Sequence, residues 1–292
     1  MKTKIWITAV AMAASLIPSA VSAEQTPVTI SSSYNTDSDG VKNSTVTIAT
    51  ADEMKPFNFS YSRLKIKQKD SAASVNENAL KVNWNYRLNE ERGYGAWVNL
   101  PQNNIWNHPS YGVQYHGVAN TIDTVRVSYS HDAVQTLPAY QNRITGNSLA
   151  MEYKQELQRD WTLDTQAKYS SYSDSNYRKS FGAGLTKAFG LHYRAGLLYG
   201  YDTSDVNKKS VFYLPRNESS LSLITEAAFQ VGDGSLLLRR TGSLFSRDIT
   251  GTINKTTYGA TYHLSNLNLG IQYYKDDNYW AREYSCSWTG RW

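Results

Sequence analysis

The chain has 292 residues, 30 of them basic and 25 acidic, and it contains 22 tyrosines and 8 tryptophans. The formal net charge of +5 is too small to favour a nucleic acid as partner. The single cysteine, Cys286, excludes an intrachain disulfide and a cysteine-based metal site.

The N-terminus has the three parts of a secretory signal peptide. Lys2 and Lys4 form a positive region, an apolar run extends over residues 5–17, and residues 21–23 (Val-Ser-Ala) form a small-residue cleavage site. We predict that residues 1–23 are a cleaved signal peptide and that residues 24–292 form one β domain. A retained N-terminal anchor is the alternative, but the apolar run is shorter than a membrane span requires.

Apolar and polar residues alternate in many segments of the remaining chain. In residues 80–88 every second residue is apolar, from Leu80 to Leu88, whereas Lys81 and Arg87 lie on the other face. Successive side chains of a strand point to opposite faces, so this pattern predicts two-faced strands. It recurs around residues 57–61, 125–129, 149–154, 193–201 and 258–264. The whole pattern indicates about sixteen strands.

Short and long connections alternate between these strands. The short ones fall at residues 89–92, 120–123, 158–160, 189–190, 232–233 and 265–266, and the long ones at 67–76, 101–109, 132–146, 203–218 and 247–254. Outer-membrane barrels have short periplasmic turns and long external loops. We therefore predict an all-β fold, a transmembrane antiparallel β-barrel of about sixteen strands in the outer membrane of a Gram-negative cell.

The last residues and many aromatic residues agree with a membrane barrel. Residues 284–292 alternate strictly and end on Trp292, as expected for a closing strand. Aromatic residues near connections predict an interfacial girdle; they are Trp84, Tyr86, Trp97, Trp106, Trp161, Tyr169, Tyr172, Tyr199, Tyr201, Tyr279 and Trp280. A soluble β-sandwich or barrel would also alternate, but it would not need such a girdle.

A barrel of this size encloses water, so its polar face predicts the lining of a pore. The predicted pore-lining residues are Lys81, Arg87, Arg126, Glu152, Lys154, Lys168, Arg194, Glu226, Arg239, Glu283 and Arg291. Basic residues predominate among them, so we expect a modest preference for anionic or polar solutes. The alternative is that these charges pair across strands and leave no net field.

Two long connections could narrow or gate the pore. Residues 132–146 contain Pro138 and Tyr140, and residues 203–218 contain the predicted external-loop residues Phe212, Tyr213, Pro215 and Arg216. Basic residues beside aromatic rings suit sugars, because rings stack on apolar sugar faces while cations hold carboxylates. A mobile external loop without a ligand is the alternative.

The sequence does not favour an enzyme. His108 and Ser110 form a close His/Ser pair, but Pro109 between them makes a poor platform for a catalytic dyad. His131 adjoins Ser130 and Asp132, but adjacent residues of a strand face opposite ways. No phosphate-binding glycine loop, metal-ligand spacing or calcium-loop pattern is present. We therefore expect no catalytic residue, no cofactor and no metal site.

Residues 199–225 carry a family resemblance. Tyr199-Gly-Tyr-Asp ends a predicted strand, Phe212-Tyr-Leu-Pro follows in the loop, and Ser220-Leu-Ser-Leu begins the next strand. This arrangement resembles the outer-membrane barrel of exopolysaccharide secretion proteins, such as the C-terminal module of the cellulose secretion porin, and the YaiO-type barrel group. The resemblance implies passage of an exopolysaccharide, with separate periplasmic polysaccharide-synthesis partners.

The pattern and the resemblance together predict an outer-membrane channel. Polar solutes, foremost a polar or anionic saccharide or exopolysaccharide, would pass by passive diffusion or extrusion. A general or oligosaccharide-uptake porin is one alternative. A non-conducting surface receptor or structural barrel with a blocked lumen is another.

Overall fold

A computed structural model describes most of the chain beyond the predicted signal peptide. The described residues are 27–38, 41–50, 57–67, 74–88, 92–120, 123–157, 160–205, 211, 214–247, 251–276 and 279–291. The predicted signal peptide, residues 1–23, lies outside them, so its cleavage and the domain boundary at residue 24 stay predictions. In the described part of the chain no helix is long and apolar enough to cross a membrane.

Sixteen strands account for nearly all of the described structure. They are β1 (Pro27–Asp37), β2 (Lys42–Thr50), β3 (Phe57–Lys67), β4 (Ser74–Arg87), β5 (Arg92–Asn103), β6 (Ser110–Asn120), β7 (Asp123–Ala133), β8 (Thr145–Leu157), β9 (Trp161–Tyr172), β10 (Tyr177–Phe189), β11 (Tyr193–Asp205), β12 (Glu218–Val231), β13 (Gly234–Arg247), β14 (Gly251–Leu264), β15 (Leu267–Lys275) and β16 (Trp280–Arg291). One short helix, α1 (Leu137–Gln141), lies between β7 and β8.

Each strand pairs antiparallel with its neighbours in sequence, and β1 pairs with β16 to close the barrel. The closing register runs from Pro27 opposite Arg291 to Asp37 opposite Ala281. Closure gives the edge groups of β1 and β16 backbone partners, which an open edge in lipid would lack. The predicted closed antiparallel barrel of about sixteen strands is therefore confirmed.

The connections differ at the two ends of the barrel. The end that holds the N-terminus of β1 has tight turns, such as Gly232-Asp233, where Gly232 has φ of +57°. At the opposite end lie the longer connections, including residues 104–109, 134–144 and 206–217. This second end is the loop end below. The predicted connection at 101–109 is shorter than expected, because β5 continues to Asn103.

In β3 to β16 the large exposed apolar side chains all lie on one face of their strand. Leu149, Leu197 and Leu223 expose 54%, 55% and 53% of their surfaces although they lie in mid-strand. A soluble protein would bury such residues, whereas lipid covers them in a membrane barrel. We call this the outward face, and we call the opposite face of the same strands the inward face.

Candidate solute pathway

The segment between β7 and β8 identifies the inside of the barrel. Leu137 and Tyr140 of α1 are buried against Ile66 of β3 and Val75 of β4, two residues on the face opposite the exposed apolar side chains. Because β5 and β6 separate β4 from β7, the segment reaches β4 across the barrel interior. The faces of Ile66 and Val75 therefore point inward.

The strand register places the predicted pore-lining residues on this inward face. It runs from strand to strand through cross-strand partners, as in Arg126 opposite Glu152 and Arg194 opposite Glu226. The inward residues are Lys81, Arg87, Arg126, Glu152, Lys154, Lys168, Arg194, Glu226, Arg239 and Glu283. Arg291 ends β16 opposite Pro27, and its side chain lies outside the described part. That these residues line a conducting path stays a prediction.

The inward faces of β7 to β13 form a charged wall. Arg126 lies 3.6 Å from Glu152, and Arg239 lies 3.3 Å from Glu226. Arg178 also forms an ion pair with Asp202, and its Nε donates to both carboxylate oxygens at 2.9 and 3.0 Å. Cross-strand pairing thus neutralises part of this wall, as the alternative interpretation expected.

Other cations of the charged wall stay without a carboxylate partner. No carboxylate of the described residues lies within 4.0 Å of the Lys154 or Lys168 ammonium groups. Arg194 donates at 3.4 Å to the Thr162 hydroxyl. Such cations attract anions into the lumen, so paired and unpaired charges occur together on one wall.

A recess of about 700 Å³ lies against the charged wall. Arg126, Glu152, Lys154, Asp164 and Gln166 contribute its polar lining, together with His116. Gly182 and Gly184 carry no side chain, and the side chains of Gln166 and Leu198 pack into the space that a Cβ there would take. The recess has the volume of a typical small-ligand site and a mixed set of donors and acceptors.

The inward faces of β15, β16, β1, β2 and β3 form a different surface, the hydroxyl wall. Its residues include Thr29, Ser31, Ser33, Thr45, Thr47, Ser60, Ser62, Ser285, Ser287 and Thr289. The hydroxyls of Thr29 and Thr289 lie 2.9 Å apart, and Asn268 donates to the Ser287 hydroxyl at 3.2 Å. Hydroxyls both donate and accept hydrogen bonds, so this wall can bind polar solutes without selecting for their charge.

Trp97 is an inward aromatic residue that the sequence pattern misplaced. It was predicted in the outer girdle, but its cross-strand partners Asn83 and Gly112 lie on the inward face. A Cβ atom on Gly112 would come within 2.7 Å of the indole, so the ring lies close against that glycine. The Lys81 ammonium lies 4.5 Å from the ring centroid. An indole beside a cation is suited to a sugar carboxylate.

Tyr172 is also wrong as a girdle residue. It lies opposite Gly146 on the inward face, and a Cβ on Gly146 would meet its ring at 3.1 Å. The prediction rests on the position of the residue near a strand end, whereas the face of a residue depends on whether its position in the strand is odd or even. The signal for an inward ring was the glycine opposite it, Gly146, because the Tyr172 ring occupies the space that a side chain there would fill.

Helix α1 narrows the lumen at the loop end. Thr136 caps it by accepting from the Ala139 N–H at 3.3 Å, and Pro138 lies in its first turn. The Tyr140 hydroxyl donates to Glu77 at 2.8 Å. Burial and the Glu77 carboxylate raise the pKa of Tyr140, so the phenol keeps the proton it donates. The connection at 132–146 therefore folds into the barrel and is fixed on its wall.

The other long connection is described only near its end. Phe212 and Tyr213 lie outside the described residues, whereas Pro215 is fully buried and Arg216 is exposed. The Pro215 carbonyl accepts from the Ser204 hydroxyl, and Asn217 accepts from Thr203 at 2.8 Å. The structure thus anchors the end of this loop on β11, and the role of the four predicted loop residues stays a prediction.

A histidine pair at the loop end was missed by the sequence interpretation. The Nε2 atoms of His108 and His131 lie 2.8 Å apart, and Nδ1 of His131 lies 2.7 Å from the Asn147 oxygen. Burial and the neighbouring His131 lower the pKa of His108. In the described part of the chain no three His, Cys, Asp or Glu side chains group as metal ligands.

Three solved structures are similar to this barrel. A bacterial polysaccharide outer membrane secretin has a TM-score of 0.72 and 12% identity over 92% of this chain and 98% of its own. CdiB from Acinetobacter baumannii has a TM-score of 0.58 and 10% identity over 92% of this chain and 60% of its own. A BenF-like porin from Pseudomonas fluorescens has a TM-score of 0.51 and 9% identity over 92% and 98%.

No protein-family model and no curated protein sequence matches this chain. At identities this low the structural likeness shows the fold alone, a barrel of the kind found in outer membrane secretins and porins.

Proposed function

We propose that this protein is an outer-membrane channel for a polar or anionic saccharide, most favourably an exopolysaccharide, which moves by passive diffusion or extrusion. The observation that carries the proposal is the pairing of an apolar outward face with an inward face of hydroxyl, amide and charged groups. The outward face matches lipid and the inward face matches water.

The inner surface supports a saccharide over a simple salt pore. Sugars present hydroxyls all around and apolar patches on their ring faces. The hydroxyl wall supplies groups that donate and accept, and the inward Trp97 supplies a flat ring beside Lys81. The unpaired Lys154 and Lys168 favour an acidic sugar over a basic one.

The likeness to a polysaccharide outer membrane secretin supports a polymer as the solute and export as the direction of transport. Separate periplasmic synthesis proteins would then be its partners, as the resemblance at residues 199–225 implies. In this proposal the protein carries out no reaction and uses no cofactor.

Single-channel conductance of the purified protein in planar bilayers tests the proposal. We expect open-channel current that is blocked transiently by oligouronates, more weakly by neutral oligosaccharides of equal length, and least by oligomers of glucosamine. Absence of current from protein whose gel mobility changes on heating would refute the channel. Equal block by all three sugars would refute the preference for acidic sugars.

A non-conducting barrel is the second candidate, and α1 is the observation that favours it. The helix occupies part of the lumen and is fixed by buried Leu137 and Tyr140. The same recording separates the two candidates, because a closed barrel gives no current until α1 is released.

A further inference from the structure

Six basic side chains cluster on the outward face at the loop end. They belong to β15, β16, β2 and β3, which with β1 form one continuous sector of the barrel. We call them the rim cations: Lys275, Arg282, Lys42, Arg63, Lys65 and Lys67. All six are exposed.

The strand register brings the rim cations close together. Lys67 lies opposite Lys42, Lys42 lies opposite Thr36, and Thr36 lies opposite Arg282. Neighbouring strands are about 4.8 Å apart, so three cations fall within about 15 Å along one row. Lys65 and Arg63 follow Lys67 along β3 in steps of about 7 Å on the same face.

Within the described ranges the cluster has no counter-charge of its own. The described outward positions of these five strands include no Asp or Glu, and none of the six cations forms an ion pair with a described residue. Arg282 contacts only rings among these neighbours, with Trp280 at 5.1 Å and Tyr273 at 5.7 Å. Like charges directly opposite each other, as in Lys42 and Lys67, destabilise a strand pair. An anion from outside the chain would remove that cost.

The rest of the rim differs. Among the described outward side chains at the loop end of the other strands, Lys179 is the only lysine or arginine, and it lies over the Tyr177 ring. Electrostatic attraction is thus concentrated on one sector and is not a general property of the loop end.

We propose that the rim cations bind the phosphate groups of anionic lipids and hold those lipids against this sector. Lysine and arginine bind phosphate through charge-assisted hydrogen bonds, and their long stems reach the headgroup level from strand ends. Further along these strands, toward the middle of the barrel wall, the outward face is apolar, with Ile30, Ile48 and Phe59. Charge above and an apolar surface below match a lipid, whereas a soluble anion would use only the charge. This site is independent of the solute that the channel passes.

Native mass spectrometry of the folded protein in neutral detergent tests the proposal. Phosphatidic acid and phosphatidylcholine with identical acyl chains are the probes, and we expect retention of the first over the second. Removing two rim cations in K65S/K67S should weaken retention of phosphatidic acid by about five-fold per cation. K65R/K67R keeps the charge and should retain the lipid as the wild type does.

The matched control removes two outward cations from the opposite end of the barrel. Arg92 and Lys187 lie there on separate strands, so R92S/K187S should leave retention unchanged. Equal losses in both serine pairs would overturn the proposal in favour of unspecific charge attraction. Displacement of the lipid by inorganic phosphate at equal concentration would overturn the lipid as ligand, as would equal retention of phosphatidylcholine.

Discussion

The charged wall and the hydroxyl wall belong to one barrel but place most of their charges on opposite faces, Glu283 being an inward charge on the hydroxyl wall. Strands β7 to β13 carry ion pairs and free lysines inside, and their outward rim at the loop end is nearly neutral. The sector from β15 to β3 carries hydroxyls inside and the rim cations outside. Because alternate residues of a strand face different media, each face can be tuned separately. A net charge of +5 therefore says little about the charge inside the lumen.

The strongest test of this contrast reverses charge on the charged wall. In K154E/K168E two inward cations become anions, and we expect the anion-to-cation permeability ratio to fall by about five-fold or more for each. The reason is that a nearby unit charge changes the energy of a passing ion by about 1 kcal/mol even in water. Reversal potentials under a salt gradient measure the ratio.

The control for charge reversal is R126Q/E152Q. It removes an ion pair from the same wall without changing the net charge, so the permeability ratio should stay as in the wild type. If K154E/K168E also leaves the ratio unchanged, ions do not pass along the charged wall.

The next effect concerns the inward aromatic residue between the two walls. Trp97→Ala should shorten the dwell time of a blocking oligouronate by about three- to ten-fold, because a stacked ring contributes about 0.5–1.5 kcal/mol. Current-blockade analysis gives the dwell time. Trp97→Phe keeps a ring and should recover most of it, and the outward Tyr169→Ala should change nothing. A dwell time unaffected by Trp97→Ala would remove this residue from the sugar path.

A smaller effect is expected from releasing α1. L137A/Y140A removes the two buried side chains that fix the helix on β3 and β4, and each loss costs about 2–5 kcal/mol of packing. Conductance should rise by about two-fold with more current noise, because the loop end widens. Gln141→Ala, an exposed position of the same helix, is the control. Unchanged conductance would mean that the narrowest point lies elsewhere.

The smallest effect concerns pH at the loop end. The pKa of His108 is lowered from 6.5 by burial and by His131, while Asp132 opposes the shift. The unfolded chain then binds more protons than the folded one below pH 6.5, so stability falls as the solution is acidified through that range. The thermal midpoint should decrease slightly from pH 7.5 to 5.5, and less so in His108→Asn. An equal decrease in both proteins would contradict this assignment.

Much of the fold could be predicted from the sequence, because apolar and polar residues alternate with the two-residue period of a strand. Residues 80–88 show both faces, and the register then placed Lys81 and Arg87 on the inward side. The connection at 132–146 was recognised as a possible constriction from its length and from Pro138 and Tyr140. Its docking on Ile66 and Val75 could not be predicted, since it depends on strands that are distant in sequence.

The misplaced residues have a common cause. Nearness to connections predicts Trp97 and Tyr172 in the girdle, but the face of a residue depends on whether its position in the strand is odd or even. Each of these two inward rings lies opposite a glycine. The His108–His131 pair joins a loop to a strand, so no local pattern reveals it. The rim cations are visible in the sequence as Arg63, Lys65 and Lys67, but Lys42 and Arg282 join them only through the register.

The seam between β1 and β16 has a consequence for biogenesis. The first strand, β1, pairs with β16, which is synthesised after all the other strands. The barrel therefore cannot close until the hairpins between them have formed. Such distant pairing makes assembly slow and leaves exposed edges in the interim. The mean hydropathy is −0.53, because apolar residues are separated by polar ones along the strands. This low hydropathy helps the unassembled chain stay in solution during that delay.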